Sequence, residues 1–103
     1  RGLGASSGIV QREAVWCNTH ATEEVNHAAI AVVDWVDTNN VKYLLRFKGV
    51  VSRYGGVLSH GAIVCREYGI PSVFNVLDSI DEIQEGTLIS IDGRTGHIKL
   101  GKQ

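Results

Sequence analysis

The sequence predicts a mixed β/α domain: several short strands and two to three short helices around one core. Three observations carry that prediction. The apolar runs are short, as in AAIAVVDW (Ala28 to Trp35), which reads as a buried strand. One helix has borders on both sides: Ser59 ahead of HGAIVCREY, and Gly69 and Pro71 after it. Near the C-terminus, TLISID (Thr87 to Asp92) alternates as a strand and GRTG turns it into HIKL (His97 to Leu100), which makes a hairpin. Strands interleaved with short helices place the chain in the mixed class, and its 103 residues match a single core, which usually takes about 100 to 150.

In chain order, GLGASSG (Gly2 to Gly8) reads as a glycine- and serine-rich loop feeding a first strand, IVQREAVW (Ile9 to Trp16), rich in β-branched and aromatic residues. THATEEV (Thr19 to Val25) offers about one turn of helix before the buried strand. DTNNVKYLLRFKG (Asp37 to Gly49) places Val41, Leu44, Leu45 and Lys48 on one helical face, with Asp37, Thr38 or Asn39 as N-cap and Gly49 as the stop. Val50 to Ser52 is a brief strand ended by Arg53, Tyr54 and the pair Gly55-Gly56. Ser59 caps a helix from about His60 to Tyr68, Ser72 to Val76 is a strand, and Ser79 to Gly86 is a short turn or helix before the hairpin.

Composition excludes several roles. A hydrophobic share of 44% with 20% charged residues describes a folded globule. A net charge of -1 with scattered lysines and arginines leaves no footprint for nucleic acid or an anionic membrane. No apolar run approaches the roughly 18 to 20 residues of a membrane span, and no basic stretch leads into an apolar core, so neither anchoring nor export is expected. Cys17 and Cys65 form no metal-type pair, so free thiols in a reducing, cytoplasmic setting are expected. The chain begins at Arg1 and contains no methionine, and is expected to be a single domain excised from a longer chain.

The chemistry concentrates at YGGVLSH (Tyr54 to His60). Gly55 and Gly56 lack the Cβ atoms that would keep another molecule off the backbone, and Ser59 adds a hydroxyl. A helix start offers free N–H groups and the positive end of its dipole. Together they favour an anion, as helix N-termini do for phosphate. His60 adds a nitrogen nucleophile, and an imidazole with the ordinary pKa of roughly 6.5 is largely neutral at pH 7. Attack on phosphorus would give a phosphoramidate. On spacing alone, a surface histidine in the first turn of an ordinary helix is the commoner explanation of the pattern.

A resemblance favours the chemical reading. Val51 to Val73, VSRYGGVLSHGAIVCREYGIPSV, resembles the phosphohistidine signature of the phosphoenolpyruvate-utilizing enzymes. There a Thr-x-x-Gly-Gly-x-x-Ser-His stretch precedes Ala-Ile-Val-Ala-Arg-Glu-x-Gly-Ile-Pro-x-Val. GASSG, AIAVVDW and EGTLISIDGRTGHIKL are similar in order and spacing to the family's opening, its second strand and its closing hairpin. The wording is closest to the phosphoenolpyruvate synthase and rifampicin phosphotransferase branches.

The resemblance implies a swivelling β/β/α domain that carries a phosphoryl group between two distant sites, with His60 phosphorylated. It implies Gly55 and Gly56 as the turn that lets those sites close over the imidazole. Ser52, at the family's threonine position, and Ser59 become candidate donors to the phosphoryl oxygens or to the imidazole. Arg66, about six residues into the helix, points away from His60 at roughly 100° per residue and is assigned an ion-pair or docking role. This chain departs from the family pattern at Ser7, in the proline-free loop Asp37 to Asn40, and at Cys65, read as a small buried hydrophobe. No cofactor or metal is expected on this domain itself, and ATP and magnesium are implied for a partner domain. The expected partners are an ATP-binding domain, an acceptor-substrate domain and a small-molecule acceptor such as pyruvate. The competing reading is a non-catalytic docking or regulatory module of the same fold.

Other constellations are weaker. His20, Glu23, Glu24 and His27 would share one face of a continuous helix, but Asn26-His27 reads as a turn into the next strand. His97 reads as an exposed strand histidine. Asp92 to Gly96 lacks the carboxylate density of a calcium loop. No P-loop, dinucleotide fingerprint or nucleophile elbow is present, so the domain carries an acceptor for phosphate but no nucleotide site.

Overall fold

The computed structural model describes residues 3–6, 8–17, 28–37, 40–56, 59–84 and 86–100, with the backbone alone at 3, 5 and 6. Seven strands form one sheet: β1 (Leu3–Ser6), β2 (Ile9–Trp16), β3 (Ile30–Val33), β4 (Gly49–Ser52), β5 (Ser72–Phe74), β6 (Leu88–Asp92) and β7 (His97–Leu100). Two α-helices, α1 (Val41–Leu44) and α2 (His60–Glu67), and a 3₁₀ helix at Leu77–Glu82 complete the described elements. The strand order is β1-β5-β4-β3-β2-β6-β7. The four central strands β2 to β5 run parallel, while β1, β6 and β7 add antiparallel flanks.

A parallel strand covered on both faces has no polar side, which is why β3 reads as an unbroken apolar run. All four of its residues are buried. Ile30 and Val32 pack with Ala14, Val51, Val73, Ile80, Ile89 and Ile91 on one face. Ala31 and Val33 pack with Leu44, Phe47, Val50, Cys65 and Ile70 on the other. The sheet curls until its ends meet: a Cβ on Gly4 of β1 would lie 2.5 Å from the carbonyl oxygen of Gly93, in the turn after β6. Gly93 N–H also donates to Gly8 O at 2.8 Å.

Helix α2 follows its sequence signals closely. Ser59 is the N-cap. At the other end Gly69, at φ +68°, donates to Arg66 O and Ile70 donates to Cys65 O. That pair of bonds is a Schellman ending, with Ile70 packed beside Cys65 as the motif favours.

Two expectations are corrected. Gly2 to Gly8 is not a loop throughout, because Leu3–Ser6 pairs antiparallel with β5. The helix expected from Asp37 to Gly49 shrinks to one turn, capped at Asn40. The N–H of Lys48 donates to Ala29 O at 3.0 Å, drawing the chain into the sheet. Gly49 starts β4 instead of stopping a helix; a Cβ there would meet Ile91 and Val10 at 3.0 Å. Asp37 stands near the cap without being it: its Oδ1 accepts from Asn40 N–H, and Asn40 Oδ1 accepts from Asp37 N–H. Thr38, Asn39 and the segment holding His20, Glu23, Glu24 and His27 lie outside the described residues.

Candidate functional site

Parallel strands deliver their following loops to a common edge, and β3, β4 and β5 do so here. Their pairing continues past the strand ends. Arg53 N–H donates to Val33 O and Tyr54 N–H to Asp34 O, while Val76 N–H donates to Ser52 O and Leu77 N–H to Arg53 O. A side-chain bridge crosses the same row: Arg53 Nε lies 2.8 Å from Asp34 Oδ1 and its Nη2 2.7 Å from Asp81 Oδ1. The guanidinium hydrogen bond holds the Asp81 carboxyl below its usual range. Nothing in the sequence marked this bridge, since its carboxylates are 19 and 28 residues from Arg53.

The loop after β4 carries the predicted site. Gly55 has φ +106°, a conformation open to glycine, and a Cβ there would meet Phe74 at 3.1 Å and Ser59 Oγ at 3.4 Å. Among the described residues, none comes within 4 Å of where a Cβ on Gly56 would be. The Gly56 carbonyl accepts from both Ser59 N–H at 3.0 Å and Ser59 Oγ at 2.7 Å. Ser59 Oγ in turn accepts from Ala62 N–H at 3.4 Å, which fastens the loop to the helix start.

His60 is the first residue of α2 and is exposed. Among the described residues none hydrogen-bonds its ring, and none accepts from the backbone N–H of His60 or Gly61. The imidazole therefore stands at the positive end of a helix with donors beneath it. Gly61, unremarked in the sequence, sets how closely the helix start is seated. It is buried, and a Cβ on it would lie 2.6 Å from Val36 Cβ and Cγ1, so α2 rests directly on the loop after β3.

The predicted residues divide. Gly55, Gly56, Ser59 and His60 sit together. Ser52, expected as a donor toward the imidazole or a phosphoryl oxygen, is fully buried and gives its proton to Tyr54 O at 2.8 Å, with Asp34 O at 3.3 Å. Its hydroxyl braces the loop. Arg66 lies exposed in the last turn of α2. Burial pushes the Cys65 thiol up to about 11, in keeping with a packing role. At the hairpin, His97 Nδ1 lies 2.9 Å from Thr95 Oγ1, and the backbone N–H of Arg94 holds the Asp92 carboxyl below its usual range.

Comparison with known proteins agrees with this geometry. Residues 25–96 match the family model described as "PEP-utilising enzyme, mobile domain". Rifampicin phosphotransferase of Bacillus subtilis is 30% identical over 96% of this chain, which covers 11% of that protein. A probable phosphoenolpyruvate synthase of Methanothermobacter thermautotrophicus is 32% identical over 98% of the chain and 15% of the protein. The solution structure of an Enzyme I protein superposes with a TM-score of 0.63 at 20% identity, over 78% of this chain and 33% of that one, and shows the fold alone. The chain thus spans about a tenth to a seventh of the length of these curated relatives. With fold, signature and matched span in agreement, the chain belongs to the family of PEP-utilising enzyme mobile domains.

Proposed function

We propose that His60 is a transient phosphoryl carrier. A neutral ring nitrogen attacks a phosphorus atom of ATP held by another domain of the parent enzyme. The N–P bond forms as a phosphoanhydride P–O bond breaks, and the nucleotide leaves with the bonding pair. The domain then moves, and an acceptor oxygen at a second site takes the phosphoryl group as the N–P bond breaks and returns the imidazole. Pyruvate, or another small molecule, is the acceptor. ATP and magnesium belong to the donor domain.

One observation carries the reading: an exposed imidazole, unbonded by any described residue, at the start of a capped helix behind a glycine that no described side chain covers. The helix start fits closely against Val36, and the ring itself is exposed. Gly55, Gly56 and Ser59 hold and expose the imidazole, and the N–H groups of His60 and Gly61, from which no described residue accepts, offer hydrogen bonds to the phosphoryl oxygens. Ser52 supports the site through the loop.

The test is intact mass and phosphorus NMR at alkaline pH after the domain is incubated with ATP, magnesium and the parent's nucleotide-binding domain. One acid-labile phosphoryl group, absent in His60→Ala, is expected. His60→Ala should leave the fold intact, because an exposed first-turn side chain contributes little packing. If the full-length parent binds ATP yet His60 gains no phosphate, the domain is a docking module and the carrier reading fails.

A further inference from the structure

The row of loops beside His60 exposes large apolar side chains that the carrier chemistry does not use. Trp35, Tyr54 and Leu77 follow the ends of β3, β4 and β5 by two, two and three residues, and are 54%, 52% and 45% exposed. Adjacent strands are about 4.8 Å apart, so the three stand in one short row. The loops that carry Trp35 and Tyr54 reach the start of α2. Val36, next to Trp35, bears on Gly61, and Gly55, next to Tyr54, bears on Ser59.

Two of the three are held outward at a cost or by a dedicated contact. Leu77 has φ +62°, a left-handed conformation that a non-glycine residue adopts only under strain. Trp35 Nε1 donates to Asp37 Oδ2 at 2.9 Å, and Asn40 Nδ2 donates to Trp35 O at 2.9 Å, so the indole is anchored at the surface. Preordered aromatic and aliphatic groups of this kind are the usual anchors of an interface. The same edge is acidic. Asp34, Asp37 and Asp81 lie along it with Arg53 between two of them, and Asp78 shares the side of Asp81 because residues three apart eclipse in a 3₁₀ helix.

We infer that Trp35, Tyr54 and Leu77, with the aspartates around them, form the face that docks on the nucleotide-binding domain of the parent chain. The inference rests on the carrier reading of His60. A site that holds a nucleotide triphosphate must surround several negative charges with cations and helix N-termini, so its rim is positive. Of the two sites a carrier visits, this one needs the greater positive charge, and an acidic edge with apolar anchors complements it. The remaining nine-tenths or so of the relatives' length provides room for such a domain.

The experiment uses the full-length parent in single turnover with ATP and magnesium. Charging of His60 is followed by intact mass in alkaline-quenched samples, for wild type, Trp35→Ala, Leu77→Asn and Asp78→Lys. Each variant should charge at least tenfold more slowly, while the lifetime of phosphohistidine already formed stays unchanged. The gap between wild type and Asp78→Lys should narrow as salt is added. Asparagine tolerates the left-handed conformation, so Leu77→Asn should melt no lower than wild type and separates docking from folding. Charging within twofold of wild type in all three variants overturns the proposal, as does a phosphohistidine lifetime shortened as much as charging is slowed. A wild-type parent that never charges removes the carrier reading and this inference together.

Discussion

Gly61→Ala probes the contact that seats the imidazole. The new Cβ would lie 2.6 Å from both Val36 Cβ and Cγ1, about 0.8 Å inside the 3.4 Å at which ordinary contact begins. Overpacking of this kind costs about 1 to 3 kcal/mol. Replacing glycine by alanine in a helix returns at most about 1 kcal/mol. A net loss of up to about 2 kcal/mol lowers the melting temperature by up to roughly 16 °C in a domain of this size. Thermal and urea unfolding measure it directly. Val36→Ala removes the obstacle, so the double variant should lose less than the sum of the singles by about 1 kcal/mol or more. If Gly61→Ala melts higher than wild type, or the two changes simply add, the close seating of α2 on the loop after β3 is wrong.

Ser52→Ala removes the donor to Tyr54 O, and should cost about 1 kcal/mol in urea unfolding and slow charging of His60 through the loop alone. Asp81 has its folded-state pKa lowered by Arg53, so its stabilising contribution is present above the ordinary carboxylate value near 3.8 and is lost as pH falls through the lower folded value. Melting temperatures taken downward from about pH 5 should therefore drop less steeply in Asp81→Asn than in wild type. The native domain at pH 8 should react with a disulfide reagent at Cys17 alone, because Cys65 is buried with its thiol pushed up to about 11; denaturant should expose both. Rapid reaction of two thiols in the native state would contradict the packing of α2.

What the sequence made legible are the elements whose signals are local. The N-cap of α2, its glycine ending and the β6–β7 hairpin are each encoded within a few residues of where they act. The rest is encoded at long range. Leu3–Ser6 reads as a loop because its glycines and serines have low strand propensity, yet pairing with β5 and the fit of Gly4 against the turn after β6 make it a strand. Gly49 reads as a helix stop, but its glycine answers to Ile91 and Val10, 42 and 39 residues away. At the site, the residues that face outward could be named from the signature. Those that support it, Gly61 beneath His60 and Arg53 between two aspartates, required knowing which loops meet.

The glycine pair separates two demands that the signature fuses. Gly55 answers to the fold, since φ +106° and the nearness of Phe74 both exclude a side chain. Gly55→Ala should cost about 1 to 3 kcal/mol in strain. Gly56 answers to neither: no left-handed angle and no neighbour among the described residues requires it. Alanine there should leave the fold as stable or raise it by about 0.4 to 1 kcal/mol, because the unfolded chain loses freedom. If another domain closes over the imidazole, the added methyl stands in its path, and Gly56→Ala should charge at His60 several-fold more slowly while melting no lower. A variant that both melts lower and charges normally would make Gly56 an ordinary turn glycine, and approach over the loop would have to come from another side.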